Sequence, residues 1–264
     1  MGRGDISAGN HVQYGMKKYQ VIALDLDGTL LTSDKTVSPR TLTALEKCME
    51  SGMQPVIATG RVRSSIMKLL PPEFPIIPWI SSHGAEVHLN GKCLASNTLD
   101  VPLAHEAVRA VTAHAPHMKL STSIDGVWYA THPIGLQHVI ADLESVIEQP
   151  VSKLVCDLHQ LDDVDAFRQA LPDGCKLIAS GALGEIVAAG VSKVAALRDL
   201  LEEWGMTLND AIAFGDHLPD LDMIAACGLG VAMGNAVPEV KEVADIITSS
   251  CDEDGIAEVL ETLV

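Results

Sequence analysis

The chain has 264 residues, of which 47% are hydrophobic, and its formal net charge is −17. This length suits one large domain or two modest ones, and no apolar run is long enough to span a bilayer. The negative charge argues against a nucleic-acid or anionic-membrane surface, since both need clustered lysine and arginine, but a small anionic ligand is compatible if local positive groups receive it.

The first residues are predicted to lie outside the folded domains. Residues 1–15 are polar and lack the apolar segment of a signal peptide, and Met16 followed by two lysines resembles a natural start. We therefore predict that residues 1–15 are a disordered extension or a remnant of expression. The six cysteines are scattered without a CxxC pair, which favours a reduced, cytoplasmic chain.

The first predicted strand ends on two carboxylates. The stretch VIALDLDGTLL runs from Val21 to Leu31, and its apolar part stops at Asp25 and Asp27. Asp-Gly between apolar stretches is also typical of a hairpin turn, which would leave Asp25 as a solvated strand residue. A continuous apolar run instead favours a strand covered on both faces of a parallel sheet, where ligands bind beyond the carboxyl ends of the strands.

Later segments repeat this pattern and alternate with helices. Apolar runs end in polar tips at residues 54–58 before Thr59-Gly60-Arg61, residues 76–80 before Ser81-Ser82-His83-Gly84, and residues 211–214 before Gly215-Asp216. One helix is predicted to begin at Ser38-Pro39 and to end just before Gly52, and a second to begin at Ser192-Lys193 and to end before Gly205. A third is predicted to begin around Pro219 and to end near Gly228. Alternating strands and helices predict a doubly wound, parallel α/β sheet of the Rossmann-like kind.

The middle of the chain predicts a second, α+β domain. Turn signals at Asn90-Gly91 and Asp125-Gly126 indicate antiparallel hairpins. The further elements predicted here are helices at 104–115, 135–148 and 162–170 and strands at 118–124, 127–131, 152–157, 175–180 and 184–189. The predicted domains are therefore a core at 16–84 and 190–264, with an inserted domain at 85–189.

The polar groups at the strand ends are predicted to converge. They are Asp25, Asp27, Thr59 and Asp216, with Lys193 at a helix start and Asp220 just beyond its strand. Carboxylates gathered at one sheet edge repel each other by about 4 kcal/mol per pair at ~4 Å and an effective dielectric of ~20. Such a cluster requires a cation, and oxygen-only ligands favour Mg²⁺ over zinc.

Four motifs in this order resemble the haloacid dehalogenase (HAD) superfamily of phosphohydrolases. They are Asp25-Leu26-Asp27-Gly28-Thr29, Ala58-Thr59-Gly60-Arg61, the lysine of Gly190-Val191-Ser192-Lys193, and Gly215-Asp216-His217-Leu218-Pro219-Asp220. Segments 230–236 and 252–255 look like the closing segments of the Cof-type branch. That branch carries a large cap inserted between the second and third motifs, where the middle domain lies, and the resemblance covers about residues 17–264.

The resemblance implies a role for each motif residue. Asp25 would attack phosphorus to give an aspartyl-phosphate, and Asp27 would act as general acid and base. Phosphate contacts are implied for Thr59, Gly60 and Lys193. Metal ligands are implied for Asp25, the backbone carbonyl of Asp27, Asp216 and Asp220, the last directly or through water. Asn235 and His83 are supporting candidates.

Three positions depart from the usual asparagines of the Cof-type pattern: His83, Pro219 and Cys251. We expect Mg²⁺ and phosphate binding to be retained, with some weakening. His83 is interpreted as a substrate contact or a plain surface histidine, and Cys251 as a buried small hydrophobe in preference to a functional thiol. Arg61 either reaches the cleft or forms an interdomain ion pair.

The sequence thus predicts a Mg²⁺-dependent phosphatase acting on small phosphorylated metabolites, sugar phosphates first, with pyridoxal phosphate or flavin mononucleotide as further candidates. Asp125, Trp128, Tyr129 and His132 are candidates for selectivity, or else ordinary cap residues. Two alternatives stay open: a phosphomutase or phosphotransferase, and a non-catalytic phospho-ligand binding protein. The natural substrate and the oligomeric state are left open.

Overall fold

A computed structural model describes residues 19–264 except residues 73 and 76, so the extension predicted at 1–15 lies outside the described residues. The chain divides into two compact units. The first comprises the described residues up to Arg61, together with Ser65–Leu94 and Ser192–Val264. The second comprises Val62–Ser64 and Ala95–Val191.

The strands and helices alternate along most of the chain. The strands are β1 (Val21–Leu24), β2 (Gln54–Ala58), β3 (Trp79–Ser81), β4 (Glu86–Leu89), β5 (Lys92–Ser96), β6 (Leu120–Ile124), β7 (Val127–Ala130), β8 (His138–Ile140), β9 (Leu154–Asp157), β10 (Cys175–Ser180), β11 (Leu183–Ala188), β12 (Ala211–Gly215), β13 (Leu229–Ala232) and β14 (Ile246–Ile247). The helices are α1 (Pro39–Glu50), α2 (Arg63–Leu69), α3 (Val101–His114), α4 (Leu143–Val146), α5 (Val164–Ala170), α6 (Lys193–Glu203), α7 (Leu221–Ala226), α8 (Pro238–Val243) and α9 (Gly255–Leu260). None of the helices in the described ranges has the length and apolar character needed to cross a membrane.

The first unit is built on a doubly wound sheet, as predicted. Its strand order is β14-β13-β12-β1-β2-β3-β4-β5, and the strands from β14 to β3 run parallel. The chain proceeds from β1 to β2 and β3 on one side, and later to β12 and β13 on the other. The order therefore reverses at β1, and in such sheets the ligand crevice opens beyond the carboxyl ends of the strands at this point.

Burial and capping explain why these segments form these elements. Every residue of β1 is buried, which matches its continuous apolar run and a strand that is covered on both faces. Ser38 caps α1 by accepting a hydrogen bond from the backbone N–H of Thr41, and Pro39 occupies the first turn. Ser192 caps α6 in the same way through Ala195, so Lys193 stands at the first position of that helix.

The second unit contains a six-stranded sheet in the order β10-β11-β9-β6-β7-β8. Strands β6 and β7 form the predicted antiparallel hairpin, and both turn residues, Asp125 (φ 50°) and Gly126 (φ 82°), have positive φ. Two central residues with positive φ are the signature of the tight hairpin turn that Asp-Gly favours.

The helix predicted at 135–148 is wrong. The segment instead forms β8, which pairs parallel with β7, and then the short helix α4 behind the N-cap Asp142. The β-branched residues Val139 and Ile140 suit an edge strand, and β7 offers them a hydrogen-bonding partner.

The hairpin at Asn90-Gly91 forms, but it extends the sheet of the first unit. Strand β4 pairs antiparallel with β3, and the first unit continues to Leu94. The predicted core ended at residue 84, so residues 85–94 lie with the core sheet in the structure. The cause is the register of Ile80 with Val87, which continues the sheet by one hairpin before the chain leaves it.

Candidate active site

Three carboxylates meet at the carboxyl edge of the first unit's sheet. The register pairs Leu24 of β1 with Phe214 of β12, so Asp25 and Asp216 leave neighbouring strands almost at the same level. Asp220 follows in the turn after β12, and a ligand oxygen from each of the three residues lies within 4.8 Å of the others. The predicted convergence of residues 25, 216 and 220 is therefore present.

A buried ammonium group lies between two of these carboxylates. The Nζ atom of Lys193 is 2.5 Å from Oδ1 of Asp25 and 2.6 Å from Oδ1 of Asp220. Burial would lower the pKa of Lys193, but Asp220 and Asp25 outweigh it and raise that pKa above its ordinary value. Lys193 therefore stays charged.

The cluster has excess negative charge. Burial and the facing carboxylate of Asp220 raise the pKa of Asp25 to about 8, although Lys193 opposes the shift. The same two causes raise the pKa of Asp216 to about 6. When all three carboxylates are ionised, they and the one ammonium carry a net charge of −2, which one divalent cation would neutralise. An all-oxygen donor set of this kind fits Mg²⁺.

Asp220 holds the turn that carries Asp216. Its Oδ2 atom accepts hydrogen bonds from the backbone N–H groups of Asp216, at 3.2 Å, and His217, at 3.1 Å. A Cβ on Gly215 would lie 2.5 Å from Cβ of Asp220, so glycine is needed for this close approach. Both oxygens of Asp220 are thus engaged by protein donors. Pro219 lies in the 3-10 turn Leu218–Asp220, where its missing N–H is tolerated.

Gly28 brings the first motif against Asp216. Its φ is +75°, and a Cβ there would lie 2.5 Å from Oδ2 of Asp216. The neighbouring hydroxyl of Thr29 donates to Oδ1 of Asp216 at 3.3 Å. The two loops therefore touch at a position where the positive φ and the close approach of Asp216 favour glycine.

We expect Gly28→Ala to destabilise the protein more than Gly52→Ala. Both glycines have positive φ, at which alanine costs about 1–2 kcal/mol, but Gly52 has open space where a Cβ would lie. The clash with Asp216 adds about 1–3 kcal/mol for Gly28 alone. Urea unfolding of both variants measures the difference, and equal losses would show that the loops do not touch.

Two cations hold the carboxylate of Asp27. Arg61 binds it in a bidentate manner, with Nε 2.5 Å from Oδ2 and Nη2 2.7 Å from Oδ1, and Lys35 Nζ lies 2.9 Å from Oδ1. Burial would raise the pKa of Asp27, but Arg61 and Lys35 together lower it. Arg61 and Asp27 belong to the same unit, so the ion pair that Arg61 forms is not the interdomain pair considered from the sequence.

The loop that presents Lys35 was missed by sequence reasoning. Backbone N–H groups of Thr32 and Lys35 donate to the carbonyls of Thr36 and Thr32, each at 2.9 Å, and close the turn. Two carboxylates from the end of the chain brace it: Asp252 accepts from the N–H of Ser33 at 2.7 Å, and Asp254 accepts from the hydroxyl of Ser38. The acidic residues near Gly255 were the only sequence signal for this arrangement.

The second motif forms a tight loop against His83. The Oγ1 atom of Thr59, a buried side chain, accepts from the N–H of Arg61 at 3.2 Å, and its carbonyl accepts from the N–H of His83 at 2.9 Å. His83 is only 5% exposed, and a Cβ on Gly60 would lie 2.5 Å from its Cε1 atom. The interpretation of His83 as a plain surface histidine is therefore wrong.

Cys251 packs as a small hydrophobe, but it is less buried than the sequence interpretation expected. It is half-buried and packs against the hydrophobic core, and burial raises the pKa of its thiol. A protonated thiol is a poor nucleophile and metal ligand. The backbone N–H of Cys251 donates to Oδ1 of Asn235 at 2.9 Å.

The selectivity candidates lie on the hairpin β6–β7 of the second unit and just beyond it. Trp128 pairs with Ser123 and Tyr129 with Thr122, so side-chain alternation puts Trp128 and Tyr129 on opposite faces of that sheet. Asp125 accepts from Nε2 of Gln149 at 2.9 Å, and the exposed His132 lies 2.9 Å from the hydroxyl of Thr131.

This arrangement of strand-end carboxylates and a buried lysine agrees with a comparison against known families. Residues 22–260 match the family model of the haloacid dehalogenase-like hydrolases. The chain belongs to this family. The family predicted from the four motifs is thus confirmed.

Individual relatives of this haloacid dehalogenase-like hydrolase have similar length. The 5-amino-6-(5-phospho-D-ribitylamino)uracil phosphatase YitU of Bacillus subtilis (strain 168) is 32% identical over 266 residues, covering 92% of this chain and 97% of YitU. The pyridoxal phosphate phosphatase YbhA of Escherichia coli (strain K12) is 30% identical over 267 residues, covering 90% and 96%. A crystal structure of a haloacid dehalogenase-like hydrolase from Bacteroides thetaiotaomicron matches with a TM-score of 0.80 at 29% identity, covering 94% of this chain and all of that one.

Proposed function

We propose that this hydrolase is a Mg²⁺-dependent phosphatase that cleaves phosphate monoesters of small metabolites. The observation that carries the proposal is the cluster of Asp25, Asp216 and Asp220 around the Lys193 ammonium, at the carboxyl edge of the sheet. Such a site combines a nucleophile, positive charge for a phosphoryl group and ligands for a divalent cation.

Asp25 is the proposed nucleophile. A carboxylate oxygen of Asp25 bonds to phosphorus while the ester P–O bond breaks, and the leaving oxygen takes a proton from Asp27. Water then attacks phosphorus and gives its proton to Asp27, and the aspartyl P–O bond breaks to release phosphate. The carboxylate of Asp27 held by Arg61 and Lys35 corresponds to the base form needed in this second step.

The phosphoryl group would be bound by positive charge and N–H groups around Asp25. Lys193 Nζ, 2.5 Å from Oδ1 of Asp25, would lie beside a phosphoryl group attached there. Thr59 and Gly60 would contribute their hydroxyl and backbone N–H. Asp25, Asp216 and the carbonyl of Asp27 would hold Mg²⁺, with Asp220 beside them, and bound Mg²⁺ would supply positive charge to the phosphoryl oxygens.

The substrate class follows from chemistry shared with relatives. YitU is named for a phosphate ester on a ribityl chain and YbhA for pyridoxal phosphate. We therefore infer sugar or sugar-alcohol phosphates as the first substrates to test, with pyridoxal phosphate and flavin mononucleotide next. The second unit is proposed to act as the cap, with Asp125, Trp128, Tyr129 and His132 as selectivity candidates.

The free thiols favour a reducing cellular compartment. The structure has free thiols at Cys48, Cys156, Cys175, Cys227 and Cys251. Reduced cysteines are usual in the cytoplasm, and we infer that the protein works there.

We expect phosphate release from 4-nitrophenyl phosphate in Mg²⁺ without any acceptor, loss of activity in EDTA, and recovery when Mg²⁺ is restored. The reason is that the −2 cluster needs a divalent cation before it can accept a phosphoryl dianion. A malachite green assay measures the phosphate, and a panel of phosphorylated metabolites then ranks the substrates. Turnover that needs an added sugar acceptor would favour a phosphotransferase. Binding without turnover would favour a non-catalytic protein.

A further inference from the structure

We propose that Asn235 is a positioning residue that sets the Mg²⁺ affinity of the site by fixing two of its loops at once. This inference rests on the proposed function, because it concerns the same Mg²⁺ site. Asn235 lies in the loop after β13, outside the four motifs.

The side-chain amide of Asn235 connects three segments of the chain. Its Nδ2 group donates to the carbonyl of Gly28 at 2.8 Å and makes a longer contact of 3.5 Å with Oδ2 of Asp216. Its Oδ1 atom accepts from the N–H of Cys251 at 2.9 Å. The opposite amide orientation would set Oδ1 against two acceptors and NH₂ against a donor, so the contacts fix the orientation.

The backbone around Asn235 is tied to the loop that carries Asp216. The N–H of Met233 donates to the carbonyl of Gly215 at 3.0 Å, and the N–H of Val237 donates to the carbonyl of Asp216 at 2.9 Å. On the other side, the N–H of Gly234 donates to the carbonyl of Ser249 at 3.0 Å. Asn235 is thus presented to the site by a loop that is fixed at both ends.

These contacts act on two proposed metal ligands. Gly28 follows Asp27, so a hydrogen bond to the Gly28 carbonyl restrains the peptide next to the Asp27 carbonyl. The carboxylate of Asp216 receives Thr29 on Oδ1 and Asn235 on Oδ2, which together set its rotation. Partners of this kind around metal ligands typically change metal affinity by about 10–100-fold.

If Asn235 were a direct metal ligand, its side-chain amide would need a different orientation from the one observed. A ligating amide would use Oδ1, but that atom faces the N–H of Cys251. The donor Nδ2 faces the site and cannot bind a cation. Positioning and ligation therefore predict opposite results for an aspartate at this position.

The experiment is a Mg²⁺ titration by calorimetry on the full chain, comparing wild type, Asn235→Ala, Asn235→Asp and the control Asn209→Ala. Asn209 is an exposed asparagine just before β12, at the opposite end of that strand from Asp216. We expect Asn235→Ala to weaken Mg²⁺ binding about 10–100-fold. Asn235→Asp should weaken it at least as much, since it loses the donor and faces a carbonyl and a carboxylate. Asn209→Ala should bind as wild type does.

Thermal unfolding in EDTA checks that each variant is folded, and Asn235→Asp, which keeps the acceptor for Cys251, carries the test if Asn235→Ala does not fold. Recovery of kcat at saturating Mg²⁺ would further support positioning. Wild-type affinity in Asn235→Ala, or tighter binding in Asn235→Asp, would overturn this inference alone. A wild type that binds no Mg²⁺ would overturn the proposed function and this inference with it.

Discussion

Asp25→Asn is expected to lower kcat/KM for phosphate release by about 10⁴-fold or more, the scale seen when a covalent nucleophile is removed from an enzyme. The amide has the same shape as the carboxyl group but cannot attack phosphorus. The control is Asp199→Asn, which removes a carboxylate from an exposed position of α6 and should keep wild-type activity. Near-wild-type turnover in Asp25→Asn would contradict the assigned role.

We also expect the stability of Asp25→Asn to depend on pH differently from that of the wild type. Because burial and Asp220 raise the pKa of Asp25 to about 8 in the folded state, the folded protein binds a proton there more tightly than the unfolded chain does. The wild type therefore loses stability as pH rises from the unfolded pKa of ~3.9 toward 8. Asp25→Asn has no carboxyl group to ionise at this position, so it should not lose stability in this way. Urea unfolding in EDTA should show its stability relative to wild type improving between pH 5 and pH 8.

The positions of the catalytic candidates could be predicted because topology determines them. Asp25 and Asp216 end neighbouring parallel strands, and the strand ends of such a sheet lie along one edge whatever the loops do. Lys193 was predictable for a similar reason, since Ser192 marks the start of α6 and thereby fixes the first residue of the helix.

The contacts around Asp27 could not be predicted in the same way. Lys35, whose side chain contacts Asp27, has a φ of +60°. No local sequence signal required this backbone conformation. The hydrogen bond from Ser33 to Asp252, which holds the Lys35 loop, joins residues more than 200 positions apart. Asp220 shows the same limit, because the motif spacing indicated a carboxylate near the metal but not its hydrogen bonds to two backbone N–H groups.

The second unit shows where periodicity fails. Residues 135–148 suggested a helix, yet Val139 and Ile140 lie in β8 because β7 offers an unpaired edge. Pairing with a neighbouring strand is a tertiary effect that overrides local preference. The pleat of this sheet also separates two selectivity candidates. Trp128 and Tyr129 are adjacent in sequence, but their side chains lie on opposite faces of the sheet.

Lys193→Met is expected to abolish turnover and also to destabilise the fold. The variant keeps the length of the side chain but leaves Asp25 and Asp220 buried without their shared ammonium. Breaking a buried ion pair by removing one partner typically costs about 3–5 kcal/mol. Chemical unfolding in EDTA measures the loss, with Lys47→Met, an exposed lysine on α1, as the control that should stay close to wild type.

The destabilisation should depend on pH and on charge. Without Lys193, the ammonium that opposes burial and repulsion at Asp25 is gone, so the folded-state pKa of Asp25 rises further and stability falls as pH increases. The loss relative to wild type should therefore be larger at pH 8 than at pH 5. Mg²⁺ should restore part of the stability by replacing the missing positive charge, but it should not restore turnover.

A double variant separates lost charge balance from lost packing. Asp25→Asn combined with Lys193→Met removes one negative and one positive charge, so it should be more stable at pH 8 than Lys193→Met alone, although both are inactive. If poor packing of methionine caused the loss, the second substitution would bring no recovery and the loss would be the same at pH 5 and pH 8. That result would mean that Lys193 does not balance the buried carboxylates, and the electrostatic basis of the proposed phosphoryl site would fail with it.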